Sequence, residues 1–265
     1  MHDIQGPSLP PRIDRDGAWR LIAFFSAFGF VFWAGRTIDF SLGDLITGLP
    51  NAGRILSEML PPDASRLGPI GRALGETFLM AVVGAALGIG GAFALAVLAA
   101  RQLTPHVLCY HLARGLIGFF RTVPDLVWAI FFVATVGLGP FAGTLTIIVD
   151  TIGFCGRFFA EAMEEVDPGP QEALAALGAG RASVVFCAVV PAAMPSFINS
   201  ALFSLEKAVR SSVILGIVGA GGIGIELKVA MDMFEYSRAA TIILALFALV
   251  LCVERTSAWL RRRVI

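Results

Sequence analysis

The chain has 265 residues, of which 57% are hydrophobic and 15% charged, with a mean hydropathy of +0.80 and a formal net charge of zero. Soluble domains carry nearer a quarter of charged residues, so this composition excludes an ordinary water-soluble fold and points to a bilayer as the solvent. A chain without net charge sets up no overall field that would recruit nucleic acid.

Residues 1–17 are polar and proline-rich, unlike the basic opening of a signal peptide, and are expected to form a cytoplasmic tail. The apolar run 18–35 has no small-residue cleavage site and reads as a retained first span. Residues 36–75 have balanced charge with several prolines and glycines, and are expected to be an extracytoplasmic loop. Within it, 51–60 suits a short helix at the membrane surface. The second span, Thr77 to Ala100, holds no charge, whereas the third, Leu116 to Leu138, is interrupted by Arg121, Pro124 and Asp125. The fourth, Phe141 to Phe159, carries Asp150, with Arg157 near its end. The fifth runs from about Pro195 to Val218 and the sixth from Ala239 to Val253, ahead of Arg261, Arg262 and Arg263, which read as a stop at the lipid surface. Runs of about 17–25 apolar residues suffice to cross a hydrocarbon core of about 30 Å. Alternation of period two is absent, so helices do the crossing. The expected fold class is all-α: a polytopic membrane protein with about six transmembrane helices, its main transmembrane domain spanning residues 76–265.

With both termini inside, twelve basic residues fall on inner segments and six on outer ones, so cytoplasmic termini and a multi-pass place in the plasma membrane are expected. Cys109, Cys155, Cys187 and Cys252 are scattered with no CxxC pair, and His106 and His111 have no third ligand nearby. Neither a disulfide framework nor a metal site is expected, and the chain is read as binding no cofactor itself.

The segment between the fourth and fifth spans, about 161–194, is the most informative. Asp167 is a good helix N-cap, Pro168 suits a first helical position, 171–177 is helix-forming, and Gly178 and Gly180 can end it. Leu174 and Leu177 share one face of a helix too short to span. On the residues alone this is either a docking element or part of the protein's own packing.

The fifth span is amphipathic. At about 100° per residue, Asn199, Glu206 and Arg210 fall within about 40° of one another, and Ser200, Ser204, Lys207 and Ser211 widen the polar side to roughly 160°. Three charges facing lipid would cost on the order of 8–10 kcal/mol, so this side must face protein or water. Glu206 and Arg210 have the favourable spacing for a salt bridge, leaving Lys207 as an excess positive charge suited to an anion. Asp150 is positioned to pair with Lys207 or Arg210 across helices. The polar arc is read as either the lining of a translocation path or a buried structural network.

Gly219, Gly221 and Gly224 match the dinucleotide fingerprint GxGxxG but lack its strand–turn–helix context, so they read as a flexible turn or a close helix approach. No Walker A sequence and no catalytic grouping stands out, so an enzyme is not expected.

Glu172, Ala173 and Gly178, followed by Pro191, resemble the EAA loop of bacterial ABC-importer permeases, with Leu174 in place of the third alanine and Val190 in place of a leucine. The stretches 121–143, 159–174 and 209–224 are similar to the phosphonate permease (PhnE) family. The resemblance implies the MetI-like fold of type I importers and import of phosphonate, phosphite, hypophosphite or phosphate. It implies a coupling role for Glu172, Ala173, Leu174, Leu177, Gly178, Arg181 and Pro191. It also implies a pair of ATPase subunits that hold ATP and Mg, a second permease copy or paralogue, and an extracytoplasmic binding protein. The rival expectation is an ion-coupled secondary transporter, in which the fifth-span charges would be coupling sites and the 171–177 helix would have no task.

Overall fold

A computed structural model describes residues 15–264, and the chain divides into two compact units, residues 1–57 and 58–265. The expected tail lies outside the described residues up to position 14. In the first unit, α1 (Arg15–Thr37) covers the first expected span as 23 residues of helix, about 34 Å at 1.5 Å per residue. α2 (Leu42–Glu58) begins nine residues before the expected surface helix, because Ser41 caps it: the Ser41 hydroxyl accepts the Asp44 amide at 3.1 Å.

The second unit holds α3 (Leu67–Ala99), α4 (Val107–Thr122), α5 (Asp125–Val136), α6 (Pro140–Glu164), α7 (Pro168–Ala176), α8 (Arg181–Val184), a π turn (Val185–Val189), α9 (Val190–Ile217), α10 (Ile223–Asp232) and α11 (Tyr236–Val264). Among the described residues, four continuous helical stretches are long and apolar enough to cross a membrane: α3, α6, α8 through α9, and α11. α4 and α5 meet the same test only as a pair, and the pair is bent by 91°. The third expected span is therefore broken. Pro124 has no amide proton to continue the helix, and its ring holds Val123 in an extended conformation (φ −77°, ψ 122°).

Other spans run past their apolar stretches. α3 starts ten residues before Thr77, taking in the end of the expected loop, and α11 runs through the arginine triplet instead of stopping before it. Pro191 would break a regular helix, yet 181–217 is continuous. The π turn just before it opens the backbone by one residue, where the ring would otherwise meet the carbonyl four residues back.

α3 and α6 form the centre of the bundle. A Cβ on Gly84 would stand 2.6 Å from Ile147 Cγ2, and one on Gly88 2.5 Å from Thr151 Cβ. The bare glycine face thus lets the two helices approach to backbone contact, and buried Ala81, Ala85, Ala92 and Ala96 continue it. Lipid tails are as apolar as leucine, so such close van der Waals packing, more than hydrophobic burial, holds spanning helices together.

Gly219, Gly221 and Gly222 all have positive φ and turn the chain from α9 into α10. The first amides of α10 are capped from α3: Gly222 N–H donates to Glu76 Oε1 and Ile223 N–H to Thr77 Oγ1, both at 2.8 Å. The glycine motif is a tight turn against a neighbouring helix.

Candidate translocation path and docking helix

α9 carries a row of polar side chains through the bundle, and α6, α5 and α11 meet them with partners. Lys207 Nζ lies 2.6 Å from Asp150 Oδ1 on α6. Arg210 Nη1 lies 3.0 Å from Glu254 Oε1, and Glu206 pairs with Arg261, both partners being on α11. Ser211 Oγ donates to Asp125 Oδ2 at 3.2 Å, and Ser204 Oγ to Thr151 Oγ1 at 3.2 Å. Arg261 also reaches Asn199 Oδ1 at 3.5 Å, and the Ser200 carbonyl accepts the Cys155 thiol at 3.8 Å. Phe203, the apolar intruder in the arc, stacks on Phe154, whose ring also lies 5.6 Å from the Lys207 ammonium.

The expected Glu206–Arg210 bridge does not form. α11 runs antiparallel to α9 and presents Arg261 and Glu254, two turns apart, to Glu206 and Arg210. Pairing across the helices neutralises four charges. Pairing within α9 would instead leave Arg261 and Glu254 without these partners. The surplus positive charge expected at Lys207 is cancelled as well. Lys207 is not in excess: Asp150 offsets it, and Asp125 stands close enough to Asp150 to interact with it. The α9 row as a whole thus offers no surplus positive charge. Arg157, near the end of the fourth span on α6, bonds Glu161 at 2.7 Å, one turn along its own helix.

The second site is α7. Asp167 Oδ1 accepts the Gly169 amide at 2.9 Å as its N-cap. At its other end the Ala179 amide donates to the Leu174 carbonyl at 3.0 Å and the Gly178 amide to the Ala175 carbonyl at 2.9 Å. These are the two bonds of a Schellman cap, and they require the positive φ of Gly178, +81°. Glu172 and Ala173 are exposed, Leu174 is half-buried, and Leu177, at the C-cap just outside the helix, is 85% exposed. Leu177 keeps the register of the helix, its amide bonding the Ala173 carbonyl at 3.3 Å, and stands more exposed than Leu174 on the side they share. Arg181 opens α8 and Pro191 is the second residue of α9, both exposed. α7 packs against α8 and the π turn, and its side chains take no part in the charge row.

Sequence reasoning missed Asp125, Thr151, Glu254 and Arg261 as members of the row. Asp125 and Glu254 were visible as charges in or beside apolar runs. The only signal for Arg261 was helical register: it lies seven residues, two turns, from Glu254.

The family described as binding-protein-dependent transport system inner membrane component matches residues 92–265. The chain is 40% identical over 217 residues to the phosphate-import permease protein PhnE of Mycolicibacterium smegmatis, covering 82% of this chain but 41% of that protein. It is 40% identical over 231 residues to the putative phosphite transport system permease protein HtxC of Stutzerimonas stutzeri, covering 87% and 81% of the two chains. Among solved structures, an inward-facing MetNI methionine ABC transporter matches with a TM-score of 0.67 at 23% identity, over 77% of this chain and 100% of that one.

Proposed function

We propose a cargo and an assembly for this chain, which belongs to the family of binding-protein-dependent transport system inner membrane components and is a multi-pass permease subunit of an ABC importer. The cargo is phosphonate, phosphite or a related small phosphorus oxyanion. This reading is supported by the relatives named for phosphate and phosphite import, one of them similar over most of both lengths.

The observation that carries the assembly is α7. It is a nine-residue helix capped at both ends by its own side chain and backbone, bearing the exposed Glu172 and Ala173 and lying outside the spanning bundle. A helix fixed this firmly with its polar face uncovered is built to be gripped. Its groove is supplied by an ATPase subunit, and a second permease copy brings the matching helix to a second ATPase. ATP and Mg sit on those subunits. An extracytoplasmic binding protein delivers the anion to the opposite end. In this orientation the α7 end and both termini are cytoplasmic, in accord with the bias of basic residues.

The mechanism is alternating access. Closure of the ATPases pulls α7, and the motion passes through the π turn into α9, whose row of charges meets α6 and α11. Each pair in that row keeps its charges compensated while the helices move, which avoids the cost of exposing single charges to lipid.

Reconstitution of the chain with the ATPase and binding protein encoded beside it tests this. Uptake of labelled phosphite or methylphosphonate should require ATP and the binding protein. Glu172→Lys should leave assembly in the membrane unchanged and abolish substrate-stimulated ATP hydrolysis. Uptake by the chain alone, driven by an ion gradient without nucleotide, would establish the secondary-transporter reading instead.

A further inference from the structure

The positive charge that the α9 row lacks is found elsewhere. At the α7 end of the bundle a cavity of about 500 Å³ opens between α4 and α6, lined by Arg114, Arg121 and Arg157 together with Gly118 and Glu161. Arg114 is held by the Ala99 carbonyl at 3.0 Å and by Glu164 Oε2 at 2.7 Å, and its guanidinium lies 5.3 Å from the Tyr110 ring. Arg157 gives one bond, to Glu161. Arg121 makes no hydrogen bond or ion pair with any described residue. Three guanidinium groups thus face two carboxylates. Each guanidinium has five N–H donors, most of them uncommitted here.

The three are stepped along the cavity. α4 and α6 cross beside Arg121: a Cβ on Gly153 would stand 2.9 Å from the Arg121 backbone nitrogen. Arg157 is one turn nearer to α7 along α6, and Glu164, which holds Arg114, closes that helix. Gly118 leaves the wall between them open, since a Cβ there would meet nothing within 4 Å.

We propose that this cavity is a binding site for a tetrahedral phosphorus oxoanion, gripped by Arg114, Arg121 and Arg157. A planar carboxylate offers two oxygens and satisfies one guanidinium fork. A phosphate-type group offers acceptors in several directions and suits forks arriving from two helices. A bound oxoanion ties α4 to α6. The same chemistry is found in soluble phosphate and in the headgroup of an anionic phospholipid. The site does not depend on the cargo proposed above, because it is argued from the cavity's own charges.

The test uses the full chain in nanodiscs of phosphatidylcholine alone, with binding of radiolabelled inorganic phosphate as one arm. Retention of phosphatidylglycerol, read by native mass spectrometry after exposure to mixed lipid, is the other. The variants are Arg121→Gln, which removes the uncommitted guanidinium, and Gly118→Leu, which fills the cavity without altering charge. Loss of a charge-assisted contact should weaken binding by about tenfold or more. Phosphate binding weakened in both variants identifies a soluble oxoanion. Phosphatidylglycerol retained by the unmodified chain and lost from both variants identifies a lipid headgroup. The proposal is overturned if the unmodified chain takes up neither, or if both variants match it in both arms. Arg121→Lys should retain part of the affinity, which separates loss of charge from loss of fold.

Discussion

Replacing Lys207 with Met removes the cation bonded to Asp150, and the structure predicts an unequal cost for the two halves of the pair. The Asp150 side chain is 14% exposed, so once Lys207 is gone it has little access to water, and Lys207→Met should destabilise by about 3–5 kcal/mol. The Lys207 side chain is 32% exposed and has the Phe154 ring 5.6 Å away, so the ammonium left by Asp150→Asn keeps some solvent and a second partner. That variant should cost less, about 1–3 kcal/mol. The double variant Asp150→Asn/Lys207→Met buries no charge and should recover most of the loss, giving a coupling of about 2 kcal/mol or more. Unfolding in mixed detergent micelles, followed by circular dichroism, measures all three. Equal costs for the single variants, or a double variant no more stable than Lys207→Met, would refute the burial argument. Uptake by the double variant then separates two roles: a stable protein that does not transport places the cargo's route at this pair, and a stable protein that does transport makes the pair a packing device.

Other predictions follow from single positions. Gly178→Ala should weaken the α7 cap by about 1 kcal/mol, because an L side chain at φ +81° is strained, and should lower substrate-stimulated ATP hydrolysis more than membrane assembly. Gly88→Leu should abolish the folded chain in detergent, read as loss of a monodisperse peak on gel filtration. Even its Cβ would stand 2.5 Å from Thr151 Cβ, and helices pressed apart there lose the contact at the bundle's centre. Thr77→Val should cost about 0.5–2 kcal/mol by removing the cap on the Ile223 amide, seen as faster hydrogen exchange at the start of α10. Asp63 accepts the Ser65 amide and hydroxyl, both at 2.8 Å, which hold its pKa below the ordinary 3.8. A carboxyl with a depressed folded-state pKa contributes stability above pH 3.8 and loses it as the pH falls through the lower folded value. Acid should therefore loosen the 63–65 turn in the protein as it stands, and Asp63→Asn should remove that pH dependence, measured as protection of the 60–67 peptide against pepsin.

Periodicity and end signals carried much of the fold. The charge-free stretch after Thr77, the Asp167–Pro168 start of α7 and the glycine that ends it are local facts, written within a few residues and independent of what packs against them. The bend at Pro124 was present in the sequence as an interruption, but its angle was not, because it depends on how α4 and α5 each seat on α6. The arc on α9 was legible as a polar face from the 3.6-residue period alone.

What the residues by themselves determined was which segments are helical, which of them suit lipid, and that the charges on α9 need partners. Those are consequences of backbone geometry and of the cost of a bare charge in hydrocarbon. Packing between distant helices settled who the partners are. Glu206 and Arg210 are one turn apart in the chain, yet each is bonded to α11, because the register of two antiparallel helices, fixed by packing along their whole length, brings Arg261 and Glu254 within reach. The same long-range packing turned Lys207 from a surplus charge into a compensated one, and gathered Arg114, Arg121 and Arg157 from two helices around a cavity that no local pattern announced.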